Sequence, residues 1–210
     1  MLMLTACIQK DPSLVAYWDF DSAENNLVID QSGNGLDARV VNASFSEGLK
    51  GNAFNGNGQG YLEVPHSPAL DRFEQGITLS AWIYRDVDSS RTYNCIVTRE
   101  TGSTWSEYFD LAIHQNHPLF AIDFDGNSYI QTDCKETLPL KQWIHLSGTF
   151  DNQTFRLYVN GNEVASGNKT GSFSFSDKNP LIIGSNTNDG GQVFHDYFYG
   201  KMDELKIFNR

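Results

Sequence analysis

The chain has 210 residues, 40% of them hydrophobic, and its 26 acidic against 15 basic side chains give a formal net charge of -11. That balance disfavours a phosphate backbone or an anionic membrane surface, so no nucleic acid is expected as a partner, and neutral ligands or cations suit it better. No run approaches the ~18 consecutive apolar residues of a membrane span, and the length suits one β-rich domain.

The first segment, MLMLTACIQKDPS, reads as targeting rather than fold. Leu4-Thr5-Ala6-Cys7 resembles a bacterial lipobox, in which the Cys7 thiol is acylated and the residues before it are removed. Only Met1-Leu2-Met3 precedes it, which makes the signal a short remnant. Residues 1–13 are therefore expected to be signal remnant and tether, with contact to a membrane only through the lipid. Residues 14–210 are the domain, placed at the bacterial envelope, or secreted where the anchor is lacking. Cys95 and Cys134 either pair or stay as two buried thiols, because their spacing carries no geometry.

From Ser13 onward strands follow one another. SLVAYWDF sets Leu14, Ala16, Trp18 and Phe20 on one face; LVID, a turn over Gln31 to Gly35, LDARVV and YLEV come next. Ser67 is placed to cap a single helical turn in SPALD. ITLSAWIYR opposes Ile77, Leu79, Ala81 and Ile83 to Thr78, Ser80, Trp82 and Tyr84. CIVTRE, EYFDLAIHQ, PLFAIDFD and SYIQTDC are joined by connections short enough for hairpins, Asn116-His117 and Gly126-Asn127 among them, and predict a meander. WIHLSGTF and TFRLYVNGNEVAS follow, with Asn160-Gly161 as a type I′ turn, then LIIGS and KMDELKIF.

About a dozen strands without a repeat predict an all-β, two-sheet antiparallel sandwich, with the first and last strands side by side. In the last strand Asp203 shares its face with Leu205 and Ile207. A buried, unpartnered charge costs several kcal/mol, so a cation, Arg39, Lys201 or backbone N–H groups must meet it.

The ordered series VAYWDFD, VIDQSGNG, GLKGNAFNGNGQGYLEVP, ITLSAWIY, QWIHLSGTFD, FRLYVNGNEVASG, LIIGS and GKMDELKIFNR resembles the laminin G-like jelly roll of the concanavalin A-like lectin/glucanase superfamily. The resemblance covers residues 14 to 210 and implies the fold; the superfamily spans lectins, adhesion domains, hydrolases and lyases, so it leaves the function open. It also implies a structural Ca²⁺ held by Asp203, with Asp19, Asp21, Asp30 and Asn34 as nearest companions. Asp30, Ser32, Asn34 and Gly35 open like a calcium loop, but Val41 stands where the bidentate acid would be, so an EF-hand is excluded and a tight turn is the plainer reading.

Catalysis finds little support. The glucanase string Glu-x-Asp-x-x-Glu does not occur, and Asp123 and Asp125 are expected at a solvated strand end. Arg99, His114 and Tyr197 or Tyr199 echo a lyase set in the wrong order. A non-catalytic carbohydrate-binding or adhesion domain, with a carbohydrate or glycoconjugate partner, is favoured over an enzyme or a protein-interaction module. Two groups of side chains suit sugars, which need aromatic faces and planar polar groups. One is a strand face with Trp82, Tyr84, Tyr108, Asp110, His114, Arg156 and Tyr158; the other is a loop set with Tyr93, Trp105, Asn188, Asp189, Phe194, His195 and Tyr197. Trp82 and Trp143 match positions structural in the family and are expected in the core, whereas Trp105 sits in a Gly/Ser/Thr-rich connection where it either binds ligand or caps the sheet edge.

Overall fold

Every second side chain of Ile77–Tyr84 is buried, as the alternation of apolar and polar residues there predicts. Trp143–Phe150 repeats the pattern. The computed structural model, which describes residues 11–88, 93–101, 107–124, 129–175, 178–188 and 192–210, closes such strands into a two-sheet antiparallel sandwich. The all-β expectation holds.

The first sheet runs Asn162–Asn168, Thr154–Val159, Trp143–Phe150, Ile77–Tyr84, Tyr199–Phe208, Asn52–Asn57 and Ser44–Glu47. Leu14–Trp18 adds to the end of the C-terminal strand, with Leu14 opposite Phe208 and Trp18 opposite Leu205, so the first and last strands are side by side. The second sheet begins Ile130–Gln131, His117–Ile122, Glu107–His114 and Tyr93–Glu100, the expected meander, and continues through Leu181–Ile183, Tyr61–Val64, Ala38–Val41, Leu27–Val28 and Ala23–Glu24.

Local chemistry sets the turns. Asn160 and Gly161 both take positive φ, 49° and 79°, as a type I′ turn requires. The hairpin between Glu107–His114 and His117–Ile122 turns on Gln115 and Asn116, one residue earlier than expected, because His114 pairs with His117. Ser67 caps the short 3-10 turn Pro68–Asp71, accepting from the Ala69 N–H.

Between the sheets lie Trp18, Phe54, Leu111, Phe120, Leu146 and Phe150, each contributing roughly 1.5–3 kcal/mol by burial. The Trp18 indole keeps its hydrogen bond, 2.9 Å to the Leu36 carbonyl. Gly148 lets the sheets approach: a Cβ there would lie 2.4 Å from the Phe120 ring.

Tyr93–Glu100 and Glu107–His114 depart from simple alternation. Nearly every residue in them is buried, so both faces are covered. On the side away from the core, Ala112, Leu119 and Ala121 form a second apolar cluster with Tyr93. Beside them the described residues of 185–188 and 192–197 form an excursion, with Asn186–Asn188 paired to Val193–His195. Both ends are pinned. The Gly184 N–H donates to the Ile96 carbonyl at 2.9 Å, the Cys95 N–H to the Asp196 carbonyl at 3.0 Å, and the Phe198 N–H to the Gly184 carbonyl at 2.9 Å.

Candidate functional site

The outward face of the second sheet and that excursion enclose an open cleft of about 290 Å³, lined by Tyr93, Glu107, Tyr129, Asn186, His195 and Asp196. Its floor is a buried carboxylate. Asp110 has no exposed surface; the Tyr93 hydroxyl donates to its Oδ2, and the Cys95 thiol donates to Oδ1 at 3.4 Å. Burial, followed by the Glu107 charge, pushes the Asp110 carboxyl up to about 8, against the pull of those two donors. At neutral pH Asp110 is therefore mostly protonated.

Glu107 reaches the same cleft because of a register shift between Glu107 and Phe109, opposite Glu100 and Arg99. Asn186 Nδ2 donates to its Oε1 at 2.8 Å. Burial raises the Glu107 carboxyl; the Asn186 bond and His195 oppose the rise, and the Asp196 charge adds to it. His195 Nδ1 lies 2.8 Å from Asp196 Oδ2. The Tyr93 hydroxyl and the Cys95 thiol are held well above their ordinary ranges, chiefly by burial and next by Asp110. The Tyr129 phenol is likewise raised, by burial first and Asp110 second.

Three of the expected binding residues thus meet, Tyr93, Asp110 and His195, drawn from both expected groups. Others do not. Tyr108 is a core residue: the register shift turns it inward, against Phe175 with ring centroids 4.6 Å apart, and the Arg99 guanidinium lies 5.7 Å from its ring. His114 is exposed beside Tyr93, rings 5.5 Å apart, and lines a separate hollow with His117, Gln131 and Cys134. Tyr197 is half-buried near Tyr61 and is not among the cleft's described lining. Trp105, Asp189 and Cys7 lie outside the described residues.

The single strand face proposed for seven residues is corrected. Trp82, Tyr84, Arg156 and Tyr158 lie on the first sheet, because Ile77–Tyr84 pairs with Trp143–Phe150 and the C-terminal strand rather than with Glu107–His114. Trp82 and Trp143 are half-buried on its outer face rather than in the core, against His145 and Tyr84, with centroids 5.2 and 5.7 Å apart. The lyase set is not assembled: Arg99 is tied to the Leu70 carbonyl and Asp71, at 2.7 and 2.8 Å, far along the paired strands from His114. Asp123 is buried rather than solvated, and Asp125 lies outside the described residues. Cys95 and Cys134 are buried and unbridged.

Residues 55–210 match the family described as the Concanavalin A-like lectin/glucanases superfamily. The chain belongs to that superfamily. No curated protein matches it. Among solved structures it is similar to the binding domain of Paraclostridial Mosquitocidal Protein 1, with TM-score 0.71 and 15% identity over 94% of this chain and 49% of that one. Domain 4 of AbnA, a GH43 extracellular arabinanase from Geobacillus stearothermophilus in complex with arabinotriose, gives TM-score 0.63 and 21% identity, covering 93% of this chain and 92% of that one. The binding domain of Botulinum Neurotoxin DC in complex with SialylT gives 0.66 and 15%, covering 95% and 48%. The chain spans about half the length of the toxin domains. At these identities the likeness establishes the fold.

Within this concanavalin A-like frame, Asp203 meets backbone. It is fully buried, and the Leu49, Lys50 and Glu204 N–H groups donate to it at 2.9, 3.0 and 2.8 Å. Lys201 is engaged by the Glu47 carbonyl and Arg39 by Glu63, so neither expected side chain neutralises it. Asp19 and Asp21 flank the same turn: Asp21 accepts from the Asn52 N–H, and the Asp19 carboxyl is raised by burial and then by Asp21 and Glu204. Asp30 and Asn34 are engaged within their own turn. Asp30 accepts from the N–H groups of Tyr17, Ser32, Asn34 and Leu36 and from the Ser32 hydroxyl, which fills its lone pairs. Asn34 Nδ2 donates to the Leu14 and Val15 carbonyls as a strut. Among the described residues no three acidic, histidine or cysteine side chains converge to hold a metal, so an ion beside Asp203 would draw most of its ~6–8 oxygens from the backbone.

The Asp110 carboxyl makes stability depend on pH. Unfolded, it ionises near its ordinary value of about 4; folded, it keeps its proton to about 8. Between those values the folded state binds more protons, so stability falls as pH rises from about 4 to about 8 and then levels. Glu107, also raised, contributes with the same sign. Thermal melts across this window should show the decline in the wild type and a clearly flatter curve in Asp110→Asn. An unchanged slope in that variant would show that Asp110 ionisation is not what folding resists.

Proposed function

We propose that the protein is a non-catalytic carbohydrate-binding domain that holds its sugar in the cleft between Glu107–His114 and the excursion 185–197. The observation that carries this is the pairing of two tyrosines, Tyr93 and Tyr129, with the planar polar groups of Glu107, Asn186 and Asp196 in one open cleft. Sugars offer C–H faces to aromatic rings and hydroxyls to such groups. The AbnA domain in complex with arabinotriose and the toxin domain in complex with SialylT support the reading, as binding domains on this fold. Titration with a panel of neutral oligosaccharides should find a binder whose affinity falls about tenfold, roughly 1.4 kcal/mol, in Tyr129→Ala. Release of reducing ends or unsaturated products from the panel would overturn the non-catalytic part.

We further propose a structural Ca²⁺ beside the turn at Gly48 to Gly51, held by Asp203 with Asp19 or Asp21 and backbone carbonyls. The concentration of carboxylates about one turn supports it. Calcium should raise the melting temperature of the wild type and leave Asp203→Ala unmoved; a wild-type melt indifferent to both calcium and a chelator would remove the ion.

The envelope location is proposed on Leu4-Thr5-Ala6-Cys7. Intact mass of the protein isolated from its own cells should carry a diacylglyceryl adduct at Cys7, in the membrane fraction. Recovery from the soluble fraction with an unmodified Cys7 refutes the anchor.

A further inference from the structure

The cleft described above is lined by acids. Two of its six lining side chains, Glu107 and Asp196, are acids, and a third acid, Asp110, lies directly beneath. Among the described lining residues the one basic group is His195, already engaged by Asp196 at 2.8 Å, and none is Lys or Arg. The whole chain, at a formal -11, adds to the same field.

Resting on the carbohydrate-binding reading, the geometry points to oligosaccharides bearing free amino groups, of the glucosamine type, as the ligand class, with Glu107 and Asp196 receiving the ammonium and Tyr93 and Tyr129 the sugar faces. An ammonium has three donors and no acceptor, which suits a cleft whose walls present carboxylate oxygens and phenols. A charge-assisted hydrogen bond is about twice as strong as a neutral one. The acids already feel one another: the Asp196 charge raises Glu107, and the Glu107 charge raises Asp110, in each case after burial. A bound cation relieves that repulsion. A uronate or a sialic acid would increase it, at a place where Coulomb energy is poorly screened.

The floor contributes shape rather than charge. Asp110, protonated at neutral pH and hydrogen-bonded to Tyr93, fixes the phenol that forms one side of the cleft. Glu107 is fixed by Asn186 at 2.8 Å. His195 holds Asp196 from the other wall. The two receiving carboxylates therefore come already oriented, which lowers the ordering cost of binding.

Calorimetric titration with deacetylated chitosan oligomers, their fully N-acetylated counterparts and oligogalacturonates of equal length tests the proposal, at a pH where the amines are protonated. The deacetylated oligomers should bind about tenfold tighter than the N-acetylated ones, with the advantage shrinking at high salt, and the uronates should bind most weakly. Glu107→Gln should bring the ratio of the first two close to one. Asp196→Asn, at a half-exposed position, should lower the same ratio and provides a second variant less exposed to folding defects. Equal binding of neutral and amino oligomers, or tighter uronate binding, would overturn the charge selection while leaving the carbohydrate-binding domain intact. Binding of no oligosaccharide, arabino-oligomers included, would overturn both.

Discussion

Asp203 carries its carboxyl into the fully buried interior, where burial raises it and three backbone N–H groups oppose that rise and hold it in place. The rest of the sandwich is arranged around the strand that bears it. Tyr199–Phe208 pairs with Ile77–Tyr84, Asn52–Asn57 and Leu14–Trp18, so the N-terminal strand, the middle of the chain and the C-terminus are joined through one element. Two of the three donors come from the turn that connects Ser44–Glu47 to Asn52–Asn57. The carboxylate thus fixes the shape of a turn as well as its own strand. Even space is committed: a Cβ on Gly48 would stand 2.7 Å from Asp203 Oδ2.

Asp110 is as deeply buried, and burial raises both carboxyls, that of Asp110 to about 8. Its partners are a phenol and a thiol rather than three peptide N–H groups, and a neighbouring carboxylate stands beside it. A phenol and a weak thiol donor stabilise a negative charge less than an array of peptide dipoles, so burial wins and the proton stays to about 8. The two aspartates divide the molecule's use of buried acid. One ties elements together, and the other serves as a neutral floor whose cost in stability the core must offset. Leu111, Ile113, Phe120 and Ile122, packed on the inner side of the same strands, are positioned to do so.

The fold was legible wherever a two-residue period ran uninterrupted, as in Ile77–Tyr84, and wherever a turn needed positive φ, as at Asn160-Gly161. The site was legible in fragments. Tyr93, Asp110 and His195 stand out as aromatic, acidic and basic side chains in the right segments, but nothing in the string says that a strand face and a remote loop share one cleft. Tyr108 was expected on the binding face, and Glu107 carries no signal of its own in the sequence. The register shift between Glu107 and Phe109 breaks the period, sending the tyrosine inward and leaving the acid outside, and a shift of that kind is set by the partner strand. Asn186 and Asp196 are brought to the cleft by an excursion tied to Ile96 and Cys95, and Tyr129 enters from the SYIQTDC segment, a meeting that no local pattern announces.

Division of labour between frame and excursion also bears on how the cleft could be retuned. The described residues of 185–188 and 192–197 supply Asn186, His195 and Asp196, and they are held to the sheet by the backbone bonds to Ile96 and Cys95, by Asn186 on Glu107 and by Phe194 stacked on Tyr61. Substitutions between those pins alter the wall facing the ligand without disturbing the packing of Phe120 against Gly148 that brings the two sheets together. Substitutions at Asp110 or Cys95 do the opposite, since both lie under the wall and inside the sheet. In the proposed reading, ligand choice is shared between the strand residues Tyr93 and Glu107 and a segment whose sequence is free of the alternation that the sandwich imposes, so membership of the superfamily fixes the architecture without fixing that wall.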